Sequence, residues 1–299
     1  MKHKQTANRK LSLDWSLHYS CNYRCPYCFF HGRWEELGKL NKYLKVEEWI
    51  RIWDIVYENC GSVHITIGGG EPIIYPNFID LIKKLSMKHK VEFSTNLSWN
   101  VEIVKEFTEE VNPAQVFLTL SFHPHFAKFN EFLDKVLLFK QKGFSHCEGA
   151  EIEVVSVAWP PLLDSLSIFK KKFEENDVAF RVQPFIGNYK DFSYPDGYTD
   201  EQRITIKNLI SDVLSEGGEQ LVSYQLKEKS TKGKLCRAGQ LYAHITCDGE
   251  VYRCSREREH SLGNFIKGNF RFLDKPLACE FESCPCEFRF LVENEKNRQ

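Results

Sequence analysis

Between residues 11 and 184 the sequence alternates short β-rich runs with longer segments that have helical apolar spacing. The segment at 46–56, for example, places Val46, Trp49, Trp53 and Val56 on one face of an amphipathic helix. The strand candidates are residues 11–17, 63–67, 91–95, 115–121, 151–157 and 178–184. Successive strand–helix units of this kind require parallel strands joined by right-handed crossovers. The sequence therefore predicts an α/β fold, a partial (β/α)6 TIM-type barrel with parallel strands.

The pattern changes towards the C-terminus, which indicates a second and smaller unit. A helix is predicted over residues 200–214, with Thr199 as its N-cap. From Cys236 onward cysteines are dense, and LYAHITCDGEVYRC (241–254) predicts a β-hairpin that turns at Asp248-Gly249. We therefore divide the chain into a barrel at 1–195, a helix and connection at 196–235, and a cysteine-rich domain at 236–299.

Composition excludes several classes of protein. The 40 Lys and Arg residues and 41 Asp and Glu residues give a formal net charge of −1, which does not suit a nucleic-acid binder. No segment has the ~20 consecutive apolar residues that a membrane-spanning helix needs. Eleven cysteines without a secretory signal favour reduced thiols over a disulfide framework. We therefore expect a cytoplasmic protein that binds neither nucleic acid nor a membrane.

Two motifs follow the first two predicted strands. Cys21, Cys25 and Cys28 form a C-x3-C-x2-C pattern after the first strand, and GGGEP (68–72) follows the second. Because the C-terminal ends of parallel strands meet at one end of a barrel, both motifs should face the same pocket. Two plainer interpretations remain at this point. The cysteines could belong to a zinc site completed by His31 or a distant ligand, and the glycines could simply form a tight turn.

Together the motifs resemble those of the radical S-adenosylmethionine (radical SAM) superfamily, over roughly residues 10 to 185. The matching residues are Cys21, Cys25 and Cys28, with aromatic Tyr27 before the last cysteine, and Gly69, Gly70, Glu71 and Pro72 as GGEP. The resemblance implies that the three thiolates hold three irons of a [4Fe–4S] cluster, and that SAM binds the fourth iron. Reductive cleavage of SAM would then yield a 5′-deoxyadenosyl radical that takes a hydrogen atom from a substrate. It also implies a low-potential electron donor such as a flavodoxin or a ferredoxin.

The resemblance assigns further roles around the bound cofactor. Gly69, Gly70 and Glu71 would hold the methionine amine of SAM, and Tyr27 would lie beside the adenine. Asn96 and Ser121, after the third and fourth strands, would contact its ribose or carboxylate, although a turn-stabilising role is the alternative.

Four polar residues are candidates for substrate contact or proton transfer, since they are expected at the mouth of the barrel. They are His123 and His125 after the fourth strand, and Arg181 and Gln183 on the sixth. A purely structural role is the alternative for each of them.

The second group of cysteines also resembles a known pattern. Cys236, Gly249 and Cys254 form C-x12-G-x4-C, which is similar to the opening of the SPASM and twitch extensions that carry auxiliary iron–sulfur clusters. The remainder of a full SPASM pattern is absent, so we expect one auxiliary [4Fe–4S] cluster. Two of Cys279, Cys284 and Cys286 would complete its ligands. Cys247 is a ligand, a free thiol or a packing residue, and a structural zinc site is the alternative for the whole group.

The substrate is less well determined by the sequence. We expect a peptide or a small polar molecule, with the auxiliary cluster assisting oxidation or substrate binding. A dehydrogenase or epimerase of a sugar or nucleoside is one alternative, and a non-catalytic iron–sulfur or zinc protein is another. No room is expected for an N-terminal peptide-recognition domain, which weakens the peptide interpretation, and no cobalamin-binding domain is expected, which disfavours a methyltransferase.

Overall fold

A computed structural model of the protein describes residues 11–147, 149–209, 216–284 and 288–292. Its helices are α1 (Trp34–Gly38), α2 (Val46–Cys60), α3 (Phe78–Ser86), α4 (Val101–Glu110), α5 (Phe129–Gln141), α6 (Leu163–Glu174), α7 (Asp200–Asn208) and α8 (Glu216–Gln225). Strands β1 to β6 are Ser12–His18, His64–Gly69, Lys90–Thr95, Val116–Ser121, Glu153–Ala158 and Ala179–Pro184. Strands β7 to β13 are Gly187–Tyr189, Phe192–Tyr194, Leu235–Cys236, Tyr242–Ile245, Glu250–Tyr252, Ser261–Asn264 and Leu277–Ala278.

Strands β1 to β6 lie side by side in chain order, and each pair is parallel. Helices connect successive strands, as the alternating pattern requires. The predicted fold class, a partial barrel of six parallel strands, is confirmed. The strand boundaries differ from the predicted ones by one or two residues, as for β5, which begins at Glu153 instead of 151.

The two faces of β1 show how the barrel is filled. Trp15 is fully buried on the outer face and packs against Trp49 and Trp53 of α2, with ring centroids 4.7 and 5.4 Å apart. Asp14 and Ser16 alternate with it, so they face the inside of the barrel. A core of aromatic rings therefore lies between the sheet and its helices, while the interior of the barrel is polar.

The predicted C-terminal hairpin forms and extends the barrel sheet. Strand β10 pairs in parallel with β1, and β11 and β12 follow as antiparallel neighbours. The nine-stranded sheet has the order β12-β11-β10-β1-β2-β3-β4-β5-β6. Gly249 turns the hairpin with a φ of +90°, which suits glycine. The boundary predicted at residue 236 thus does not interrupt the sheet.

The predicted N-cap of the helix after the barrel is confirmed. The Thr199 hydroxyl accepts a hydrogen bond from the Gln202 amide at 3.3 Å, and the Gln202 side chain accepts one from the Thr199 amide at 3.1 Å. The helix α7 ends at Asn208, and residues 210–214 of the prediction lie outside the described residues. No helix in the described part of the chain is long and apolar enough to cross a membrane.

Candidate functional site

A cavity of about 240 Å³ opens at the C-terminal ends of the barrel strands. The predicted residues that line it are Cys21, Cys25, Cys28, Tyr27, Gly69, Gly70, Glu71, Asn96, Ser121, His123 and Gln183. The fold therefore gathers both motifs and most of the candidate contacts around one space. His125 and Arg181 are not among the lining residues.

The three thiols of the cysteine loop share this cavity. Burial, together with the neighbouring thiols of Cys28 and Cys21, raises the pKa of Cys25 to about 12. Burial likewise raises the pKa values of Cys21 and Cys28. Three thiolates in one buried cavity repel one another unless a positively charged group lies among them, as in an iron–sulfur cluster. This donor set fits such a cluster.

Backbone amides in the loop already point at two of the sulfurs. The Tyr23 amide donates to Cys21 Sγ and the Phe30 amide donates to Cys28 Sγ, each at 3.4 Å. Hydrogen bonds of this kind stabilise the reduced form of an iron–sulfur cluster and set its reduction potential. The loop is therefore folded to support thiolate ligands.

The zinc alternative finds less support in the geometry. Within the described residues, no three His, Cys, Asp or Glu side chains lie close enough together to hold one metal ion. Thiolates that bind three different irons of a cluster can stand farther apart than ligands of a single ion. His31, the suggested fourth zinc ligand, is exposed and packs against Trp34 with ring centroids 5.2 Å apart.

Gly69 and Gly70 are required by the cysteine loop itself. A Cβ on Gly69 would lie 2.1 Å from the His18 carbonyl oxygen, and one on Gly70 would lie 1.8 Å from that of Ser20. The Gly70 amide donates to the His18 carbonyl at 2.6 Å. The sequence suggested that a ligand approaches these glycines. The structure shows that the backbone leading into the cysteine loop approaches them.

The carboxylate of Glu71 is occupied by protein donors. Its Oε1 accepts from Thr95 Oγ1 at 2.7 Å and from Trp99 Nε1 at 2.9 Å, and its Oε2 accepts from the Asn96 amide at 2.7 Å. Burial raises the pKa of Glu71, while the hydrogen bonds, including one from the Ile73 amide, act to lower it. A carboxylate offers about four acceptor positions, and these protein donors fill them. The Glu71 side chain thus joins the loop after β2 to the loop after β3, and contact of Gly69, Gly70 and Glu71 with a methionine amine stays a prediction.

Asn96 contacts the cysteine loop directly. Its Nδ2 donates to Asn22 Oδ1 at 3.0 Å and lies 3.8 Å from Cys21 Sγ. Its Oδ1 accepts from the Ser98 amide at 2.9 Å. These contacts hold its side chain beside the first cysteine, at the edge of the cavity where a ribose or carboxylate contact is predicted.

Aromatic rings line part of the cavity. Tyr27 is buried, with its hydroxyl 3.3 Å from His123 Nδ1 and its ring 5.4 Å from the ring of Trp159. Burial lowers the pKa of His123 to about 4, so this imidazole is neutral at pH 7. His125 is exposed and packs against Trp159, with ring centroids 5.7 Å apart. Lining residues that no sequence motif marked include Tyr23, Trp34 and Thr95, whereas Trp159 packs against Tyr27 without lining the cavity.

The two candidates on β6 differ in their surroundings. Gln183 lines the cavity, as predicted. Arg181 instead donates from Nε to Glu153 Oε1 at 2.6 Å, deeper in the barrel, and Glu153 is only 2% exposed. The guanidinium of Arg181 therefore neutralises a buried carboxylate and does not reach the cavity.

Comparison with known proteins identifies the barrel. Residues 15–124 match the family model described as the radical SAM superfamily. Residues 15–124 are therefore similar to a radical SAM domain. Domains of this family bind a [4Fe–4S] cluster and SAM, and the cavity between the cysteine loop and the glycine motif offers the thiols and the backbone for both.

Curated relatives share part of this radical SAM domain. The chain is 32% identical over 89 residues to the mycofactocin maturase MftC of Mycobacterium ulcerans (strain Agy99), which is 29% of this chain and 22% of the relative. The same protein of Mycobacterium tuberculosis (strain CDC 1551 / Oshkosh) matches at 32% over 29% of this chain and 21% of its own length. The chain thus spans about a fifth of the curated relatives that it matches.

Solved structures share the fold over most of the chain. The structure of anSMEcpe with bound AdoMet has a TM-score of 0.58 at 18% identity, covering 87% of this chain and 79% of that one. Streptococcus suis SuiB bound to S-adenosylmethionine has a TM-score of 0.59 at 14% identity, covering 87% and 62%. Both are similar to this chain beyond the radical SAM domain, into its cysteine-rich C-terminal part.

A second set of cysteines lies beside the radical SAM domain. Four of them line a small cavity: Cys236, Cys254, Cys279 and Cys284. The antiparallel pairing of β9 with β13 brings Cys236 next to Cys279, and the Ala238 amide donates to Cys236 Sγ at 3.4 Å. Among the described residues, four thiols thus line one small cavity, and their role as ligands of an auxiliary cluster stays a prediction.

The other two candidates for this second set are Cys247 and Cys286. Cys247 is fully buried elsewhere, in a small cluster with Tyr19 and Leu37. Burial raises its pKa to about 12. Of the three alternatives for Cys247, the structure therefore supports packing. Cys286 lies outside the described residues.

Proposed function

We propose that this protein is a radical SAM enzyme that cleaves SAM reductively and abstracts a hydrogen atom from a peptide. The observation that carries the proposal is a cavity that both the three cysteine thiols and the glycine motif line. The Glu71 carboxylate beside it already accepts hydrogen bonds from protein donors. Three protein ligands on a four-iron cluster leave one iron for SAM. When bound, the cluster and SAM supply a 5′-deoxyadenosyl radical.

The protein's own residues bind and orient in this proposal. Cys21, Cys25 and Cys28 hold the cluster, and the backbone of Gly69 and Gly70 is held against the cysteine loop at a fixed distance. Tyr27 provides an apolar wall for the adenine, since its ring is buried against Trp159. Asn96 and Ser121 contribute polar contacts to the ribose or carboxylate of SAM. These residues would orient the bound SAM and so limit where the radical could react.

The names of the similar proteins support a peptide substrate. The matching curated relatives are mycofactocin maturases, and SuiB has been solved with its precursor peptide SuiA at a TM-score of 0.57, with 16% identity to this chain. Another structure shows anSMEcpe with AdoMet and the Cp18Cys peptide. The second candidate is a small polar molecule such as a sugar or nucleoside, which the polar barrel interior would also accommodate.

The second cysteine set supports an oxidative outcome. Four cysteines around one cavity would fill every iron of an auxiliary [4Fe–4S] cluster, namely Cys236, Cys254, Cys279 and Cys284. A fully ligated cluster would have no open iron for a substrate, so it would supply an electron acceptor. We therefore assign the protein to the oxidoreductases, with a low-potential flavodoxin or ferredoxin as the donor for SAM cleavage.

Anaerobic reconstitution tests this proposal. Protein loaded with iron and sulfide is incubated with SAM and dithionite, and 5′-deoxyadenosine is measured by mass spectrometry. We expect 5′-deoxyadenosine from the wild type and none from Cys25→Ala, which loses one ligand. The matched control is Cys60→Ala, which removes a half-buried cysteine of α2 far along the chain from both sets. A wild-type protein that holds zinc in the cysteine loop, or carries the cluster but leaves SAM intact, would contradict the proposal.

A further inference from the structure

The side-chain amide of Asn96 is held in one orientation at the edge of the cavity. Its Oδ1 accepts from the Ser98 amide at 2.9 Å, and its Nδ2 donates to Asn22 Oδ1 at 3.0 Å. Asn22 Nδ2 donates to Ser98 Oγ at 2.7 Å, which closes a ring of hydrogen bonds. A backbone N–H can only donate, so the Ser98 amide fixes which end of the Asn96 side chain is the oxygen and which is the nitrogen.

The orientation of this amide directs a hydrogen at the first cysteine. An amide nitrogen carries two hydrogens, and Asn22 uses one of those on Asn96 Nδ2. The other faces Cys21 Sγ, which lies 3.8 Å from the nitrogen. The Tyr23 amide donates to the same sulfur at 3.4 Å. A thiolate can only accept hydrogen bonds, so Asn96 supplies Cys21 with a second donor, and this donor comes from a different loop.

Contacts with α5 constrain the backbone around Asn96. Leu97 has a φ of +52°, in the left-handed region that residues with a side chain rarely adopt, and its side chain is buried. The ammonium of Lys135 on α5 donates to the carbonyl of Leu97 at 2.7 Å and to that of Trp99 at 2.9 Å. Because its surroundings impose this backbone, the loop presents Asn96 to the cysteine loop before any ligand binds.

The charges around Cys21 make such a donor important. Burial raises the pKa of the Cys21 thiol, and the nearby Glu71 and Cys28 raise it further. The Tyr23 amide and the Arg24 guanidinium act in the opposite direction. An electron added to a cluster at this position would meet the same Glu71 carboxylate. Each hydrogen bond to the Cys21 sulfur therefore counts in favour of the reduced form.

We propose that Asn96 donates a hydrogen bond to the Cys21 sulfur and so raises the reduction potential of the cluster in the cysteine loop, with Asn22 as its positioning residue. This inference rests on the proposed function, because it requires Cys21 to hold that cluster. Hydrogen bonds to the sulfurs of an iron–sulfur cluster stabilise the form that carries more negative charge, which is the reduced one. The role leaves the predicted ribose or carboxylate contact open, since Asn96 Oδ1 keeps one acceptor position.

Redox titration of the reconstituted protein without SAM tests the inference. The cluster of the cysteine loop is followed by electron paramagnetic resonance, and its signal is identified afterwards as the one that added SAM alters. Asn96→Leu has a similar volume but no donor, and we expect its potential to be more negative than that of the wild type at equal iron and sulfide content. Asn22→Ala leaves the donor in place but frees it to turn, so its potential should shift in the same direction by less.

A second variant covers the case in which Asn96→Leu binds less iron. Asn96→Asp keeps the shape of the side chain and the acceptor for the Ser98 amide, but it replaces the donor by an oxygen. Its potential should also be more negative than that of the wild type. The direction of the shift is thus expected from two different substitutions at one position.

The matched control is Asn100→Ala in the same loop. Asn100 is the N-cap of α4, where its Oδ1 accepts from the Ile103 amide at 2.8 Å. This variant should lose stability but keep the wild-type potential. An unchanged potential in iron-loaded Asn96→Leu or Asn96→Asp would overturn the inference, and an unchanged potential in Asn22→Ala would overturn the positioning role. A cysteine loop without a cluster, or a loaded wild type that leaves SAM intact, would instead overturn the proposed function.

Discussion

The backbone amide of Glu71 donates a hydrogen bond to the carbonyl of Ser20 at 2.9 Å, and so joins the loop after β2 to the cysteine loop after β1. Gly70 lies against the same carbonyl, with no room for a Cβ. The two motifs of the radical SAM domain are therefore one structural unit. The glycines hold the cysteine loop in place as well as lining the cavity.

Gly70→Ala should disrupt this unit. Because the new Cβ would meet a backbone oxygen at 1.8 Å, we expect the free energy of unfolding to fall by about 2–4 kcal/mol. Iron bound by the first cysteine set should also be lost, since the loop must move. Chemical denaturation and iron assays measure the two effects. The control is Gly38→Ala at the end of α1, where a Cβ meets nothing within 4 Å; an equal loss there would refute the explanation.

His18 should make the protein sensitive to acid. Burial lowers its pKa from 6.5 to about 4, so below pH 6.5 the unfolded chain binds a proton that the folded chain does not. Stability is then unaffected above pH 6.5 and falls as the pH drops towards 4, by about 3 kcal/mol at most. Denaturant titrations at several pH values should show a smaller loss for His18→Asn than for the wild type. His260→Asn, at an exposed position, should behave as the wild type.

The iron content of single variants should distinguish the four cysteines of the second set from Cys247. Cys254→Ser and Cys279→Ser should each remove the iron and sulfide of the auxiliary cluster while SAM cleavage remains. Cys247→Ser should keep both clusters, because Cys247 is buried against Tyr19 and Leu37. Iron and sulfide assays after reconstitution, with 5′-deoxyadenosine as the second readout, measure this. Loss of the auxiliary cluster in Cys247→Ser would show that the ligand set is wrong.

Arg181 should prove to be a structural residue. Arg181→Leu leaves the Glu153 carboxylate buried without its 2.6 Å partner, and we expect a loss of about 3–5 kcal/mol in unfolding free energy. The double variant with Glu153→Leu should recover most of that loss. SAM cleavage per folded molecule should not change, which distinguishes this role from a catalytic one. Lys171→Leu, in an exposed pair with Glu175, should cost less than about 1 kcal/mol.

The barrel could be predicted from the sequence because each strand and helix carries its own periodic signal. The residues of β1 alternate between buried aromatic or aliphatic and polar side chains, and α2 repeats its tryptophans at helical spacing. The pairing of β10 with β1 could not be predicted. Tyr242–Ile245 has the local pattern of any short strand, and nothing near it in the chain specifies a partner at Ser12–His18.

The site was predictable where spacing defines the chemistry, as for Cys21, Cys25 and Cys28. Roles that depend on the direction of a side chain were harder to predict from the sequence. Glu71 is in the expected place, but its carboxylate points to donors from the loop after β3, including Trp99, which no motif marks. Arg181 and Gln183 differ by only two residues on β6, and only the structure shows that one lies by a buried carboxylate and the other by the cavity.

The parallel contact between β1 and β10 also has a consequence for the order of folding. Asp14 and His244 are 230 positions apart, so a nascent chain emits the strand that precedes the cysteine loop long before its neighbour exists. Contacts of such separation form late and slow the final step of folding. The strand that leads into the cysteine loop therefore gains its β10 neighbour only after synthesis has passed residue 245.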